Sequence, residues 1–100
     1  MKAYDIRISK QADMDIENLH LYISEICKSP ITAKRYILGL YSSINSLSRS
    51  AENYPISNLR SILYYGYNAR RINYKKMSVI YTIHNNTVLV NRVIPGALIK

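Results

Sequence analysis

Two consecutive segments of the chain carry the same apolar repeat, and a serine–proline pair separates them. Apolar residues recur at steps of 4, 3, 4 and 3 in both segments: Ala12, Ile16, Leu19, Ile23 and Ile26 in the first, and Ala33, Ile37, Leu40, Ile44 and Leu47 in the second. This spacing is typical of one apolar stripe along a helix. Ser9 and Ser29 are suitable N-caps, and Pro30 suits a first helical position. The pattern predicts two long helices folded into an antiparallel hairpin.

Strand patterns lie on both sides of this hairpin. Residues 3–9 alternate in character, as a half-buried strand does. Residues 50–60 have the composition of a loop, and from Ser61 onward helix signals stop. Three later segments fit strands, with turns at Lys75-Lys76 and Asn85-Asn86: Asn68–Tyr74, Met77–Ile83 and Thr87–Ile94.

The element order indicates a single α+β domain over residues 1–100, ordered β-α-α-β-β-β. The helical hairpin should pack on one face of a mainly antiparallel sheet, and the other face, or part of it, should meet water or a partner. Gly39 lies inside the second helix, where glycine costs about 1 kcal/mol relative to alanine, so another group should approach the backbone closely there.

Charge is distributed unevenly along the chain. The 14 basic and 6 acidic residues give a net charge of +8. Residues 53–100 contain seven basic residues and no acidic one. A segment without carboxylates cannot neutralise its own field, so it favours an anionic partner, either nucleic acid or an acidic protein segment. The alternative is that these charges only keep the protein soluble.

The densest basic cluster surrounds Tyr74 and comprises Arg70, Arg71, Lys75 and Lys76. These cations could bind the phosphates of a nucleic acid while the Tyr74 ring stacks on a base, or they could bind an acidic protein segment. The alternative is that they form a solvated hairpin tip. Arg92 lies in a mainly apolar strand, among Val88, Leu89, Val90, Val93 and Ile94. It should therefore pair with Asp5 or another acid of the first half, or contact a partner. Tyr64, Tyr65 and Tyr67 precede the second predicted strand and are candidates to line a groove that binds a protein partner. Tyr81 should belong to the core.

The remaining candidates for chemistry carry weak signals. His84 could act as an acid or base, but no partner acid or nucleophile adjoins it in sequence, and His20 should lie on a helix flank. Cys27, the only cysteine, is expected to act as a small apolar residue, and one cysteine excludes an internal disulfide. We find no metal-ligand spacing, phosphate loop or nucleophile motif, and therefore expect no cofactor. No apolar run approaches the length of a membrane span, so we expect a cytoplasmic protein without membrane contact.

Three segments together resemble the RelE/ParE superfamily of type II toxin–antitoxin toxins. They are Tyr4–Ser9 with the first helix, the aliphatic run around Tyr81 (Val79–Ile83), and Arg92–Ala97 near the end. The long helix pair is most similar to the ParE branch. Pro95 and Leu98 stand where that branch usually has histidine and arginine, and Ser78 stands where the ribonuclease branch carries an arginine.

This resemblance implies the toxin of a type II toxin–antitoxin (plasmid stabilisation) module, which a cognate antitoxin with an acidic segment would neutralise. The resemblance to ParE implies growth inhibition by binding a target such as DNA gyrase. A RelE-like endoribonuclease acting on mRNA at the ribosome is the alternative, and its cations would be Arg70, Arg71, Lys75, Lys76 and Arg92. A third possibility is an inactive relative that still binds antitoxin. Whether the chain is an enzyme therefore stays open at this point.

Overall fold

The computed structural model describes residues 3–99, which form a four-stranded sheet with helices on both of its faces. The elements are β1 (Asp5–Ile8), α1 (Lys10–Cys27), α2 (Pro30–Ser50), α3 (Arg60–Leu63), β2 (Arg70–Tyr74), β3 (Met77–His84) and β4 (Thr87–Pro95). Short 3-10 turns follow α2 and β4, at Ala51–Asn53 and Gly96–Leu98. The fold is α+β, as the sequence predicts.

Both long helices begin at the serines that the sequence indicates. The Ser9 hydroxyl accepts the Ala12 N–H at 3.0 Å, and the Ser29 hydroxyl accepts the Thr32 N–H at 3.3 Å. Pro30 occupies the first position of α2, and Lys28 turns the chain in the left-handed region with φ 49°. Each serine satisfies an N–H that its helix leaves unpaired. The predicted helical hairpin is confirmed.

The sheet has the order β1-β4-β3-β2, with β1 parallel to β4 and the other neighbours antiparallel. A register shift separates Ile80, which pairs with Arg92, from Tyr81, which pairs with Val90. Asn91 is therefore an extra residue in β4, which is the arrangement of a β-bulge. β1 pairs only with Thr87–Val90, so the part of β4 beyond this bulge lies past the end of β1.

The core lies between β3 and the helical hairpin. Val79 and Tyr81 are fully buried in one cluster with Leu40, Ile44 and Leu47 of α2. The Tyr81 hydroxyl donates to the Ala51 carbonyl at 2.7 Å, so this phenol is both packed and hydrogen-bonded. The prediction that Tyr81 belongs to the core is confirmed.

The second face of the sheet is partly covered by α3, in a region where the sequence predicts a loop followed by a strand. The prediction that helix signals stop at Ser61 is wrong, because α3 spans Arg60–Leu63. Ile62 and Ala69 pack against Ile80 from this side. One helical turn is too short to show periodicity, and tertiary burial of Ile62 is what holds it in place.

The far end of the helical hairpin is less buried than its apolar stripe predicts. Ile26 and Cys27 are both exposed, although the stripe and the small-apolar interpretation place them in the core. In α1, the buried residues are Ala12 and Ile16, which lie near its start. The hairpin therefore extends beyond the sheet, and its last turns have no layer to cover.

Replacing Gly39 by alanine should destabilise the fold despite the better helix propensity of alanine. A Cβ at Gly39 would overlap the Tyr74 hydroxyl, which donates to the Tyr36 carbonyl at 3.2 Å. We expect Gly39→Ala to lower the free energy of unfolding by about 1 kcal/mol, because the displaced ring outweighs the propensity gain. The same change in a Tyr74→Phe background should cost less. Urea unfolding of the four proteins measures this coupling, and equal costs in both backgrounds would contradict it.

Stability should fall at high pH through Tyr81. Burial raises the pKa of Tyr81 to about 12. Tyrosines of the unfolded chain titrate near pH 10, so the unfolded state loses this proton at a lower pH than the folded state does. The contribution of the Tyr81 hydroxyl to folding stability is therefore complete below about pH 10 and is lost as the pH rises towards 12. Tyr81→Phe should cost about 1 kcal/mol at pH 7 and should decline less steeply between pH 10 and 12 than wild type. Urea unfolding at several pH values tests this, and parallel declines would refute it.

Candidate functional site

The basic cluster predicted around Tyr74 is divided between the two faces of the sheet. Arg70 donates to the Glu52 and Tyr54 carbonyls at 3.2 and 2.6 Å, so it fastens the segment after α2. Tyr74 packs edge-on against Tyr36, with ring centroids 5.1 Å apart. The ring of Tyr74 therefore packs against α2 and does not offer a free face for base stacking.

Arg71 and Lys76 line a cleft on the other face, which we call the basic cleft. Its volume is about 450 Å³, and it is lined by Arg71, Asn73, Lys75, Lys76, Ser78, Pro95, Gly96 and Ala97. Ser78 donates to the Asn73 side-chain carbonyl at 2.8 Å. A side chain on Gly96 would lie 3.2 Å from the Ser78 hydroxyl, so glycine keeps this wall open. Lys75 reaches the cleft edge while its ammonium lies 5.1 Å from the Tyr36 ring centroid.

The basic cleft continues into a second depression across the start of β2. This depression, of about 430 Å³, is lined by Pro55, Ile56, Ser57, Asn58, Leu59, Arg71 and Asn73. Arg71 and Asn73 are common to both, so the two form one continuous surface along the edge strand. An extended anionic segment could lie along it.

Among the residues that the structure describes, no acidic side chain pairs with Arg71 or Lys76 of the basic cleft. Within residues 3–99, the one ion pair joins Arg92 to Asp15, and neither Arg71 nor Lys76 has a carboxylate partner. Residues 53–100, which include every residue that lines the basic cleft, contain no acidic side chain. The cleft therefore attracts anions, and it can hold them through charge-assisted hydrogen bonds.

Arg92 is engaged inside the protein. Its Nε and one terminal nitrogen donate to the two Asp15 oxygens at 2.7 and 3.1 Å, and this hydrogen bonding raises the pKa of the guanidinium. Asp15 also accepts the Val93 N–H at 3.0 Å. The predicted pairing with an acid of the first half is confirmed, and that acid is Asp15. Arg92 also lies 5.6 Å from the Tyr65 ring centroid, a cation–π distance.

The three candidate groove tyrosines occupy two different environments. Tyr65 packs on the cluster of Ile62 and Ile80, under the Arg92 guanidinium. Tyr64 and Tyr67 project into solvent with exposed fractions of 83% and 89%. None of the three lines the basic cleft.

A second concave surface, which we call the apolar groove, lies between α1 and the end of β4. It has a volume of about 460 Å³ and is lined by Asp15, Asn18, Leu19, Tyr22, Met77, Arg92, Val93, Ile94, Pro95 and Leu98. This site was not predicted from the sequence. The available signal was Tyr22, a large aromatic residue beside the stripe, which widens the apolar face of α1 beyond what the core covers.

His84, the histidine considered for acid–base chemistry, contacts a threonine hydroxyl. The His84 ring lies 2.7 Å from the Thr82 hydroxyl, which also accepts a hydrogen bond from Asn91 and is nearly buried. Among residues 3–99, no three His, Cys, Asp or Glu side chains are grouped so that they could hold a metal ion. In the same part of the chain, no helix combines the length and apolar character needed to cross a membrane.

Removing the Asp15 carboxylate should be more destabilising than removing a neighbouring acid. Asp15→Ala leaves Arg92 and the Val93 N–H without their partner, so we expect the free energy of unfolding to fall by about 2–3 kcal/mol. Asp13→Ala, on the same helix but exposed, should change it by less than about 0.5 kcal/mol. Urea denaturation of both variants checks this, and similar midpoints would show that the Asp15 contacts contribute nothing measurable.

Comparison with known proteins identifies the family. A family profile described as the ParE toxin of the type II toxin–antitoxin system, parDE, matches residues 6–98. No curated protein sequence matches significantly. The fold is similar to that of a solved chain from the chromosomal ParDE toxin–antitoxin system of P. aeruginosa, with a TM-score of 0.75 over 93% of this chain and 96% of that one, at 10% identity. Since the profile covers nearly the whole sequence, this chain belongs to the ParE family of type II toxins.

Proposed function

We propose that this ParE-family toxin arrests growth by binding a macromolecular target such as DNA gyrase, and that a cognate antitoxin neutralises it in the cytoplasm. The observation that carries binding rather than catalysis is the division of the predicted cations. Arg70 and Arg92 make internal contacts, and within residues 3–99 no histidine or carboxylate lines the basic cleft. The arginine and lysines of the cleft can hold an anion, which is what binding of a partner requires.

The same cleft supports an acidic segment as the part of the antitoxin that binds there. Arg71 and Lys76 lack carboxylate partners within residues 3–99, so a carboxylate from another chain could pair with them without displacing an internal one. The continuous surface towards Pro55–Leu59 has room for an extended segment. We infer that Arg71, Lys76 and the edge of the cleft at Lys75 contact the antitoxin.

Expression of the toxin alone separates the proposed mechanism from its alternatives. We expect growth arrest with DNA breakage and an SOS response while transcripts stay intact, and purified toxin should inhibit supercoiling by gyrase. Early codon-linked cleavage of mRNA would replace this account with an endoribonuclease. Undisturbed growth would indicate an inactive relative that has kept only antitoxin binding.

Neutralising the basic cleft should weaken antitoxin binding without unfolding the protein. The double variant Arg71→Ala/Lys76→Ala removes two unpaired cations, and we expect at least about a tenfold loss of affinity for the product of the adjacent reading frame. The matched control is Lys34→Ala/Arg35→Ala, which removes the same charge from an exposed part of α2. Calorimetry measures both affinities. Equal affinities would show that the basic cleft is a solvated surface only.

A further inference from the structure

The outer side of the helical hairpin, turned away from the sheet, carries four large apolar side chains. Met14 and Leu21 lie seven residues apart on α1 and are 48% and 60% exposed. Ile31 and Leu38 have the same spacing on α2 and are 71% and 59% exposed. Because residues seven apart share one side of a helix, each helix presents an apolar pair to solvent. Apolar side chains grouped in this way are typical of an interaction surface, which we call the hairpin face.

A groove between the two helices gives the hairpin face a concave centre. Its volume is about 420 Å³, and it is lined by Asp13, Ile16, Glu17, His20, Ile37 and Tyr41. Leu21 and Leu38 directly follow groove residues in the chain, so they lie close to the groove. The hairpin face therefore combines projecting leucines with a depression that is partly apolar.

The two helices carry opposite charges. α1 contains four acidic residues and one lysine, whereas α2 contains three basic residues and no acidic one. Glu25 of α1 and Arg35 of α2 are both exposed. Among residues 3–99, neither of them takes part in an ion pair. A partner that covers the hairpin face must therefore place positive charge over α1 and negative charge over α2.

A second copy of the chain meets this requirement. If two hairpin faces pack about a two-fold axis parallel to the helices, α1 of each copy lies on α2 of the other, and opposite charges meet. If the axis instead crosses the helices, α1 lies on α1 and α2 on α2, so like charges meet. Charge complementarity thus selects the first arrangement, a four-helix bundle in which each contact occurs twice.

The turn between the helices sets which residues meet in this bundle. Residues 28–29 join α1 to α2, so residues equally far from this turn lie at equal height along the hairpin. Rotation about an axis parallel to the helices preserves that height. Glu25 then lies within one helical turn of Arg35 of the second copy, and Leu21 lies within one turn of its Leu38.

We propose that the hairpin face is a self-association surface through which two copies of the toxin form a four-helix bundle, with Glu25 of each copy paired to Arg35 of the other. A helix of 18 residues is about 27 Å long and two adjacent helices are about 20 Å wide, so two copies would bury about 1,100 Å² in total. This area is at the low end for specific interfaces, so we expect a dissociation constant in the micromolar range. The basic cleft lies on the opposite side of the sheet from the hairpin and stays open in the dimer.

Exchange of the two charges tests the pairing directly. Glu25→Arg and Arg35→Glu each place like charges at both symmetry-related contacts, and we expect each to weaken dimerisation about tenfold or more. An equimolar mixture of the two variants should recover wild-type affinity, because both contacts of the mixed dimer again join arginine to glutamate. Arg60→Glu makes the same charge change at an exposed residue outside the hairpin face and should have less than about a threefold effect. Sedimentation equilibrium measures the dissociation constants, and thermal melts verify folding.

Two exposed leucines locate the apolar part of the interface. Leu38→Glu should leave the protein monomeric throughout the micromolar range, whereas Leu98→Glu, at 69% exposure in the apolar groove, should dimerise as wild type does. A wild type that stays monomeric at high micromolar concentration would overturn the proposal. A dimer that Leu98→Glu dissociates and Leu38→Glu does not would also overturn it, as would a mixture of the charge variants that stays as weak as each alone.

Discussion

The Asp15 carboxylate connects the first long helix to the last strand, and the rest of the architecture depends on this contact. It accepts from the Arg92 side chain and from the Val93 backbone. The contact holds α1 against the end of β4, pairs the one arginine of a mainly apolar strand, and occupies the Val93 N–H beyond the part of β4 that pairs with β1. Asp15 and Arg92 also line the apolar groove, so this ion pair forms part of its wall.

The two faces of the sheet carry cations with different roles: those on one face make internal hydrogen bonds, and those on the other line the open basic cleft. On the face towards the helical hairpin, Arg70 binds carbonyls near the end of α2. On the other face, α3 covers Ile80 but leaves the turn end of the sheet open, and Arg71 and Lys76 line this opening. Since side chains alternate along a strand, two adjacent arginines of one strand acquire opposite roles. The positive surface is therefore a consequence of the strand register as well as of composition.

Much of the fold could be predicted from the sequence, because the paired stripes, the capping serines and Pro30 act locally. The predicted hairpin and the β-strand order along the chain are confirmed, and Arg92 pairs with an acid as expected. The sequence could not reveal α3, whose single turn is held by contacts with Ile80, nor the exposed end of the hairpin, which depends on sheet length. It also could not place Tyr74, because the space above Gly39 exists only after α2 has packed.

The most direct test of this account is backbone amide NMR of ¹⁵N-labelled toxin titrated with the product of the adjacent reading frame. We predict shift changes that form one continuous surface, from Asn58 and Arg71 through Ser78 to Gly96, with little change in α2 near Arg35. Changes confined to α2 or to the outer edge of β1, with the basic cleft unaffected, would contradict antitoxin binding in the cleft.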